Sequence, residues 1–390
     1  MPTKRLVCRG CNSKDLKLIH DFGQQPLAGE FPLFPNSKSS SNSFPLDLTQ
    51  CCSCGLLQVC NVPPVDMIFH DDYRYSTSTI PSLLRHFDAY AQWIAEKIPK
   101  GANILEFGCN DGALLSNLIE KGFNCKGVDA SANIAKIAQD KGLDVDIDFF
   151  GLDYVEKKFL EKKFDLITCS NVYAHIDDLS GVTKAVFNSL KEGGFFAIEV
   201  HDGDLILKES QFDTIYHEHL TYFTKESIIT HLNFHGFKVE ELSHIDMHGG
   251  GLRVLARRTT DSIDCKFRSY RDDASRNTKC VNNQLDTAYL NLDSIKHSHG
   301  KIWGYGAAGR SQMFLAFTNT SAFFECIYDD SPLRQGRYIV SSDLQIREFQ
   351  FIKHEGACLI LAWNYAHDIV ERISPFFDAV YTVIPSLKKW

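Results

Sequence analysis

The chain has 390 residues, enough for two or three domains with cores of their own. Its 44% apolar and 23% charged content is that of a soluble globular protein, and no apolar run approaches the roughly 20 residues of a membrane helix. A net charge of −8, from 41 basic and 49 acidic residues, lacks the basic footprint of a nucleic-acid binder, so neither nucleic acid nor membrane is an expected partner.

The opening stretch MPTKRLVCRGCNSKD has no apolar signal-peptide core. Thirteen cysteines therefore read as thiols or metal ligands in a reducing, cytoplasmic setting. Cys8-x-x-Cys11 and Cys51-x-x-Cys54 have the spacing of two thiolate turns that close on one tetrahedral zinc. Cys52 could stand in for Cys51, but a one-residue gap suits the turn less well. A closed four-sulfur set leaves no open position, so the expected zinc is structural. Asp21 to Phe31, DFGQQPLAGEF, reads as ordered, and Pro35 to Pro45 as an exposed polar loop. The zinc-binding domain is expected over residues 1–65.

Apolar spacing predicts a helix over 82–98. Then Asn103 to Gly122 reads as buried strand, glycine turn and helix, and Cys125 to Asp129 as a second strand. Further strands follow at 145–150, 164–173 and 195–200, with helices between them. That alternation predicts an α/β fold with a doubly wound parallel sheet, whose ligands lie beyond the carboxyl ends of the strands. Glu106, Gly108 and Gly112 form E-x-G-x-x-x-G, and Asp129 ends the second strand, where an acid can accept ribose hydroxyls. This resembles the first motif of class I S-adenosylmethionine-dependent methyltransferases.

The segment Asp213 to Thr224, DTIYHEHLTYFT, crowds two tyrosines, two histidines and a glutamate together. Such a mixture either binds a metal or handles a proton in a pocket. The H-E-x-x-H zinc pattern is absent, because Thr221 stands where its second histidine would be. Tyr222 and Phe223 are expected to pack in the core. Thr224 then caps a predicted helix, and 238–258 reads as two strands joined through glycines. The central domain is expected over residues 66–265.

Residues 272–284 are polar and read as a linker or an exposed helix. Next, Gly304-x-Gly306-x-x-Gly309 follows a strand and opens a helix, a dinucleotide-type turn suited to a phosphate-bearing ligand. A strand ending at Asp329 and Asp330 and another near 357–365 complete a second α/β unit over 266–390.

These parts in this order resemble one family, the sugar C-methyltransferases that modify nucleotide-linked 4-keto deoxysugars. The markers are the cysteine set, DFGQQPLAGEF, YRYSTS, ILEFGCNDG, NVYAHIDD, FDTIYHEHLTYFT, HGGGLRV and GYGAAGR. The resemblance implies a zinc-binding N-terminal module, a central Rossmann-like class I methyltransferase domain and a C-terminal Rossmann-like domain that helps hold a nucleotide-sugar. It implies methyl transfer from S-adenosylmethionine to C3 of a GDP- or dTDP-linked 4-keto-6-deoxy sugar, through an enolate. His219 matches the family's base, with Glu218 beside it to orient or tune it. Tyr216 and His175 match positions lining the site, and Tyr75, or Tyr73, a tyrosine that reaches it. Cofactor contacts fall on Glu106, Gly108, Asn110, Gly112, Asp129 and Asn171. Substrate contacts fall on Tyr73, His248, Arg253, Tyr305, Gly306, Ala307, Gly309 and Arg310. The family commonly has a serine at Gly251 and a lysine near Arg310, which leaves the sugar and the nucleotide open. Alternatives are a methyltransferase acting on another acceptor such as RNA, and a nicotinamide-dependent sugar oxidoreductase. The oligomeric state stays open, a monomer included.

Overall fold

The computed structural model describes residues 3–35, 43–64, 67, 78, 81–159, 164–263, 268–340 and 342–390. Tyr73, Tyr75 and the polar stretch 36–42 lie outside the described residues. Three parts follow one another along the chain, each built on its own sheet.

In the first part, β1 (Thr3–Lys4) pairs antiparallel with β5 (Asn61–Val62). The main sheet holds β2 (Leu16–Pro26), β3 (Ser43–Cys51) and β4 (Leu57–Gln58). Ser43 to Pro45 belong to β3, where an exposed loop was expected. They pair with Gln24 to Pro26, and burial of Phe44 favours the strand. A fourth strand comes from far along the chain, from Thr221 and Tyr222, which pair with β4.

The second part opens with α1 (Pro81–Ala95), which buries Leu83, Phe87, Tyr90, Ala91 and Ile94 along one face. Then come β6 (Asn103–Phe107), α2 (Ala113–Glu120), β7 (Asn124–Asp129), α3 (Ala132–Asp140), β8 (Val145–Ile147), α4 (Leu152–Lys158), β9 (Phe164–Ser170), α5 (Leu179–Ser189) and β10 (Leu190–His201). After α6 (Gly203–Lys208) the borrowed strand β11 (Thr221–Tyr222) leads into α7 (Lys225–Phe234). Thr224 caps α7 as expected: its side chain accepts from the Ser227 N–H, and the Ser227 side chain accepts from the Thr224 N–H. β12 (Phe237–Ile245) and β13 (Gly251–Arg258) form the expected antiparallel pair. The sheet runs β12-β13-β10-β9-β6-β7-β8. Strand order reverses between β6 and β9, which opens a ligand crevice there.

The polar stretch 272–284 is the first half of a 29-residue helix, α8 (Arg271–His299). Only a narrow stripe of it is apolar: Ala274, Val281, Ala288 and Ile295 recur every seven residues and are buried. The third sheet runs β16 (Ile346–Arg347), β15 (Phe324–Tyr328), β14 (Ile302–Tyr305), β17 (Ala357–Ile360), β18 (Ala379–Thr382) and β19 (Lys388–Lys389), with α9 (Gly309–Thr318) and α10 (Ala366–Ile373) beside it.

Two of the cores cross these boundaries. Cys8, Cys51, Cys54 and Leu56 share one apolar cluster with Phe196, Phe223 and Leu232. Ile19, Leu46 and Leu48 share another with Phe212, Ile302 and Phe314. Among the described residues, no helix is long and apolar enough to cross a membrane.

Candidate active site

Four sulfurs gather at the end of the first sheet. Cys8 and Cys11 lie before β2, Cys51 ends β3 and Cys54 lies in the turn after it. All four Sγ atoms are within 4.8 Å of one another, with Cys8–Cys54 at 3.5 Å and Cys11–Cys51 at 3.6 Å. Thiolates around one zinc stand about 3.8 Å apart, so the set fits that ion and encloses it. Cys51 is the ligand; Cys52, next along the chain, is buried outside the group. No other metal-suited group of three or more such side chains occurs among the described residues, so His217 and His219 do not form one with Glu218.

The turn after β6 is built around Asp129. Its two oxygens accept the N–H groups of Asn110 and Ser131, both at 2.8 Å. Gly108 adopts φ 66°, and a Cβ there would come within 2.2 Å of Val172. Gly112 opens α2 with φ 78°, while Asn110 and Asn171 also take left-handed backbone. Glu106 is buried, and one of its oxygens, Oε2, has no partner. Burial, with Asp129 and Asp111 nearby, raises its pKa. An unpartnered buried carboxyl oxygen at the carboxyl edge of β6, beside a glycine turn and Asp129, fits the polar end of S-adenosylmethionine.

The crowded segment lies beyond the same edge of the sheet. His219 Nδ1 is 3.0 Å from the Thr214 carbonyl, which can only accept, so Nδ1 carries the proton. Nε2 therefore accepts, and the Tyr216 hydroxyl donates to it at 3.0 Å. His175 is fixed in the same way, its Nδ1 donating to the Glu218 carbonyl at 2.7 Å. The His175 and His219 rings meet edge to face, centroids 4.9 Å apart. Burial first, then His175, His201 and Arg310, hold the pKa of His219 well below its ordinary value, so the ring is neutral.

Glu218 differs from expectation. Its carboxyl faces the Ala28–Glu30 loop, and burial pushes its pKa up to about 7. Thr214 and Tyr216 orient His219; Glu218 contributes its backbone carbonyl, to His175. Tyr222 and Phe223 are core residues, as predicted.

The third part closes over this segment through Arg310. Its guanidinium binds the buried Asp213 at 3.0 and 3.2 Å, donates to the His248 carbonyl at 2.8 Å and lies 4.5 Å from the Trp363 ring centre. The expected phosphate ligand is thus already tied into a clamp. Arg253 is likewise paired with Glu199, at 2.6 Å, and Tyr305 donates to Asp330 at 2.6 Å. At the second glycine turn, Ala307 N–H donates to Asp329 at 2.7 Å, as in the first. A Cβ on Gly306 would meet Ala362 at 2.4 Å, and one on Gly309 would meet Ala28 at 3.1 Å. These glycines let the protein's own chain pack close to the turn. An open cleft of about 400 Å³ lies beside them, between Asp246–His248 and a wall that includes Trp363, Tyr365, Lys388 and Trp390.

Comparison with known proteins agrees with this layout. Residues 82–242 match a methyltransferase domain family, 246–385 a C-methyltransferase C-terminal domain family, and 8–69 a zinc binding domain family. C-methyltransferase NovU of Streptomyces niveus is 30% identical over 394 residues, which covers 95% of this chain and 93% of that protein. The chain belongs to the C-methyltransferase family.

This C-methyltransferase uses S-adenosylmethionine and carries a zinc-binding N-terminal domain. A partial relative is the ubiquinone biosynthesis O-methyltransferase of Pseudomonas entomophila, 28% identical over 107 residues, 26% of this chain and 46% of that one. Among solved structures, magnesium protoporphyrin IX methyltransferase of Synechocystis PCC 6803 with bound SAH is 16% identical, covers 50% of this chain and 93% of that one, and has a TM-score of 0.38. Several residues around the candidate site escaped sequence reasoning: Arg9, Glu30, His201, Asp213 and Trp363. Arg9, Glu30 and Asp213 lie inside stretches that the sequence marks, the first cysteine turn, DFGQQPLAGEF and the crowded segment, but nothing local gives them a role. His201 and Trp363 lie outside any such stretch and meet the site only through folding.

Proposed function

We propose that this C-methyltransferase methylates C3 of a GDP- or dTDP-linked 4-keto-6-deoxy sugar, in deoxysugar biosynthesis. The observation that carries the reading is His219: a neutral imidazole fixed in one tautomer, its Nε2 lone pair turned to a phenol and an imidazole beside it. Carbon must become nucleophilic before it accepts a methyl group, and a proton next to a ketone is one that an imidazole can remove. His219 Nε2 takes the C3 proton, the C–H electron pair moves into C3–C4, and the C4 oxygen becomes an enolate. The Tyr216 hydroxyl, which donates to Nε2 in the resting arrangement, turns to the enolate oxygen, with His175 beside it. Tyr75 shares this role by resemblance.

S-adenosylmethionine, when bound, supplies an electrophilic methyl group. Asp129 accepts its ribose hydroxyls, and Glu106, Gly108, Asn110, Gly112 and Asn171 line its place. The cleft beside His248 takes the nucleotide, with Trp363, Tyr365 and Trp390 as stacking surfaces and Lys388 near the phosphates. Its size and aromatic walls support that assignment.

A mass-spectrometric screen of GDP- and dTDP-linked 4-keto-6-deoxy sugars with S-adenosylmethionine tests the substrate: one product should gain one methyl. His219→Asn should bind both ligands yet lose about 10²- to 10⁴-fold in turnover. It should also lose exchange of the C3 proton with deuterated water in the presence of S-adenosylhomocysteine. Exchange as fast as in wild type, above the spontaneous rate, would make another residue the base.

A further inference from the structure

Arg9 sits between two zinc-ligating cysteines, yet its side chain is fully buried and points away from them. Its Nη1 donates to the Val59 carbonyl at 2.6 Å and reaches the Leu220 carbonyl at 3.4 Å. Nε donates to one Asp177 oxygen at 3.0 Å, and Nη2 lies 2.9 Å from the same oxygen as an ion pair without a hydrogen bond of its own. Leu220 adjoins His219, and Asp177 lies two residues beyond His175. The two segments are joined directly where the Leu220 N–H donates to the Ala174 carbonyl at 2.9 Å. Behind the guanidinium, Arg9 N–H donates to the Gln58 side chain at 2.9 Å, and Val59 N–H donates to Leu220 at 3.0 Å. A planar fork thus ties the zinc turn to both histidine-bearing segments at once, which a lysine's point charge cannot do.

We infer that Arg9 is a positioning residue: its buried guanidinium fixes the spacing of His175 and His219 from behind the site. The inference rests on the reading of these two histidines as the groups that face the substrate. A buried charge is costly unless it is paired and hydrogen-bonded, and here that pairing ties Asp177 to the Val59 and Leu220 carbonyls; removing the guanidinium leaves the Leu220 carbonyl held only by the Val59 N–H and unties it from Asp177. A displacement of about 1 Å at a reacting group can cost about 100-fold in rate.

The test uses full-length, zinc-loaded protein carrying Arg9→Met or Arg9→Lys, with Arg5→Ala as the control, since Arg5 donates to Asp177 but lies off Leu220. Both Arg9 variants should keep one zinc and wild-type affinity for S-adenosylhomocysteine. They should lose about 10- to 100-fold in kcat, with KM for the ketosugar moving less. In ¹⁵N spectra of the histidines, His219 should leave its pure Nδ1–H pattern in both, and keep it in Arg5→Ala. A folded Arg9 variant with wild-type kcat and unchanged His219 signals would overturn the inference. So would failure of both variants to fold or to hold zinc, since Arg9 would then serve stability alone. The spectra need no sugar. A wrong substrate assignment therefore shows as wild-type protein inactive on every ketosugar while the Arg9 effect on His219 persists. A wrong inference shows as active wild type beside unperturbed Arg9 variants.

Discussion

His219 owes its chemistry to two neighbours within five residues of it, the Thr214 carbonyl and the Tyr216 hydroxyl, and to burial that removes its charge. Asp129 is fixed in the same economical way, by two backbone N–H groups. Asp129→Ala should weaken S-adenosylmethionine binding by about 1.5–3 kcal/mol, the worth of a hydrogen bond to a charged group, while the chain stays folded. Calorimetry decides, and unchanged affinity would put the cofactor elsewhere. His217 offers a pH test. It donates to the Pro45 carbonyl at 3.2 Å, and burial lowers its pKa to about 4. Above the ordinary histidine value of about 6.5, both folded and unfolded chains hold it neutral, and its stabilising contribution is complete. Between about 6.5 and 4 only the unfolded chain takes the proton, so stability falls with acid by up to about 1.4 kcal/mol per pH unit. Denaturant titrations of wild type and His217→Gln across that range should differ by this slope, and parallel curves would contradict it.

Among the elements, one of the two-residue strands has the largest consequence. β11 has two residues, and they pair with β4 next to the turn that holds Cys54. Two residues carry no readable periodicity, so their strand character follows from the partner alone. α8 was left open between a linker and an exposed helix for the opposite reason: it has 29 residues, but an apolar stripe so thin that composition alone does not choose. β6, β7, β9 and α7 were legible because burial on both faces or a cap leaves a strong local pattern. The β11 pairing joins the strands beside the zinc cysteines to the segment that holds His219. Zinc removal by a strong chelator should loosen β3 and β4, unpair β11, which begins two residues after His219, and abolish turnover. Hydrogen exchange should rise first in residues 43–62 and 220–222, with the central parallel strands still protected. A zinc-free protein with full activity and unchanged exchange would sever that link.

Across the whole molecule, the second and third parts each have apolar clusters of their own, and they are joined by a shared cluster holding Phe212 and Phe314 and by a buried ion pair. Arg310 and Asp213 have side chains 14% and 1% exposed, and Trp363 Nε1 donates to the same carboxylate at 2.8 Å. Arg310→Ala leaves that carboxylate short of its main partner. It should cost about 3–5 kcal/mol of stability and lower turnover, because Asp213 opens the segment that carries Tyr216 and His219. Chemical denaturation with steady-state kinetics tests this. A variant that melts like wild type and alters only the KM of the nucleotide-sugar would restore Arg310 as a phosphate ligand.

The sequence by itself determined the four zinc cysteines, the first glycine turn with its acid, the order of the α/β units and the segment holding Tyr216 and His219. Each of these is written in residues close together or in a fixed spacing, so local geometry follows directly. Tertiary structure alone decided that Glu218 turns to the Ala28–Glu30 loop, that the second glycine turn packs closely against Ala28 and Ala362, and that Arg9 stands behind the histidines. Those outcomes depend on contacts between residues about 50 to 280 positions apart. No local propensity encodes such a contact; it is selected when the cores close and each buried polar group must find a partner.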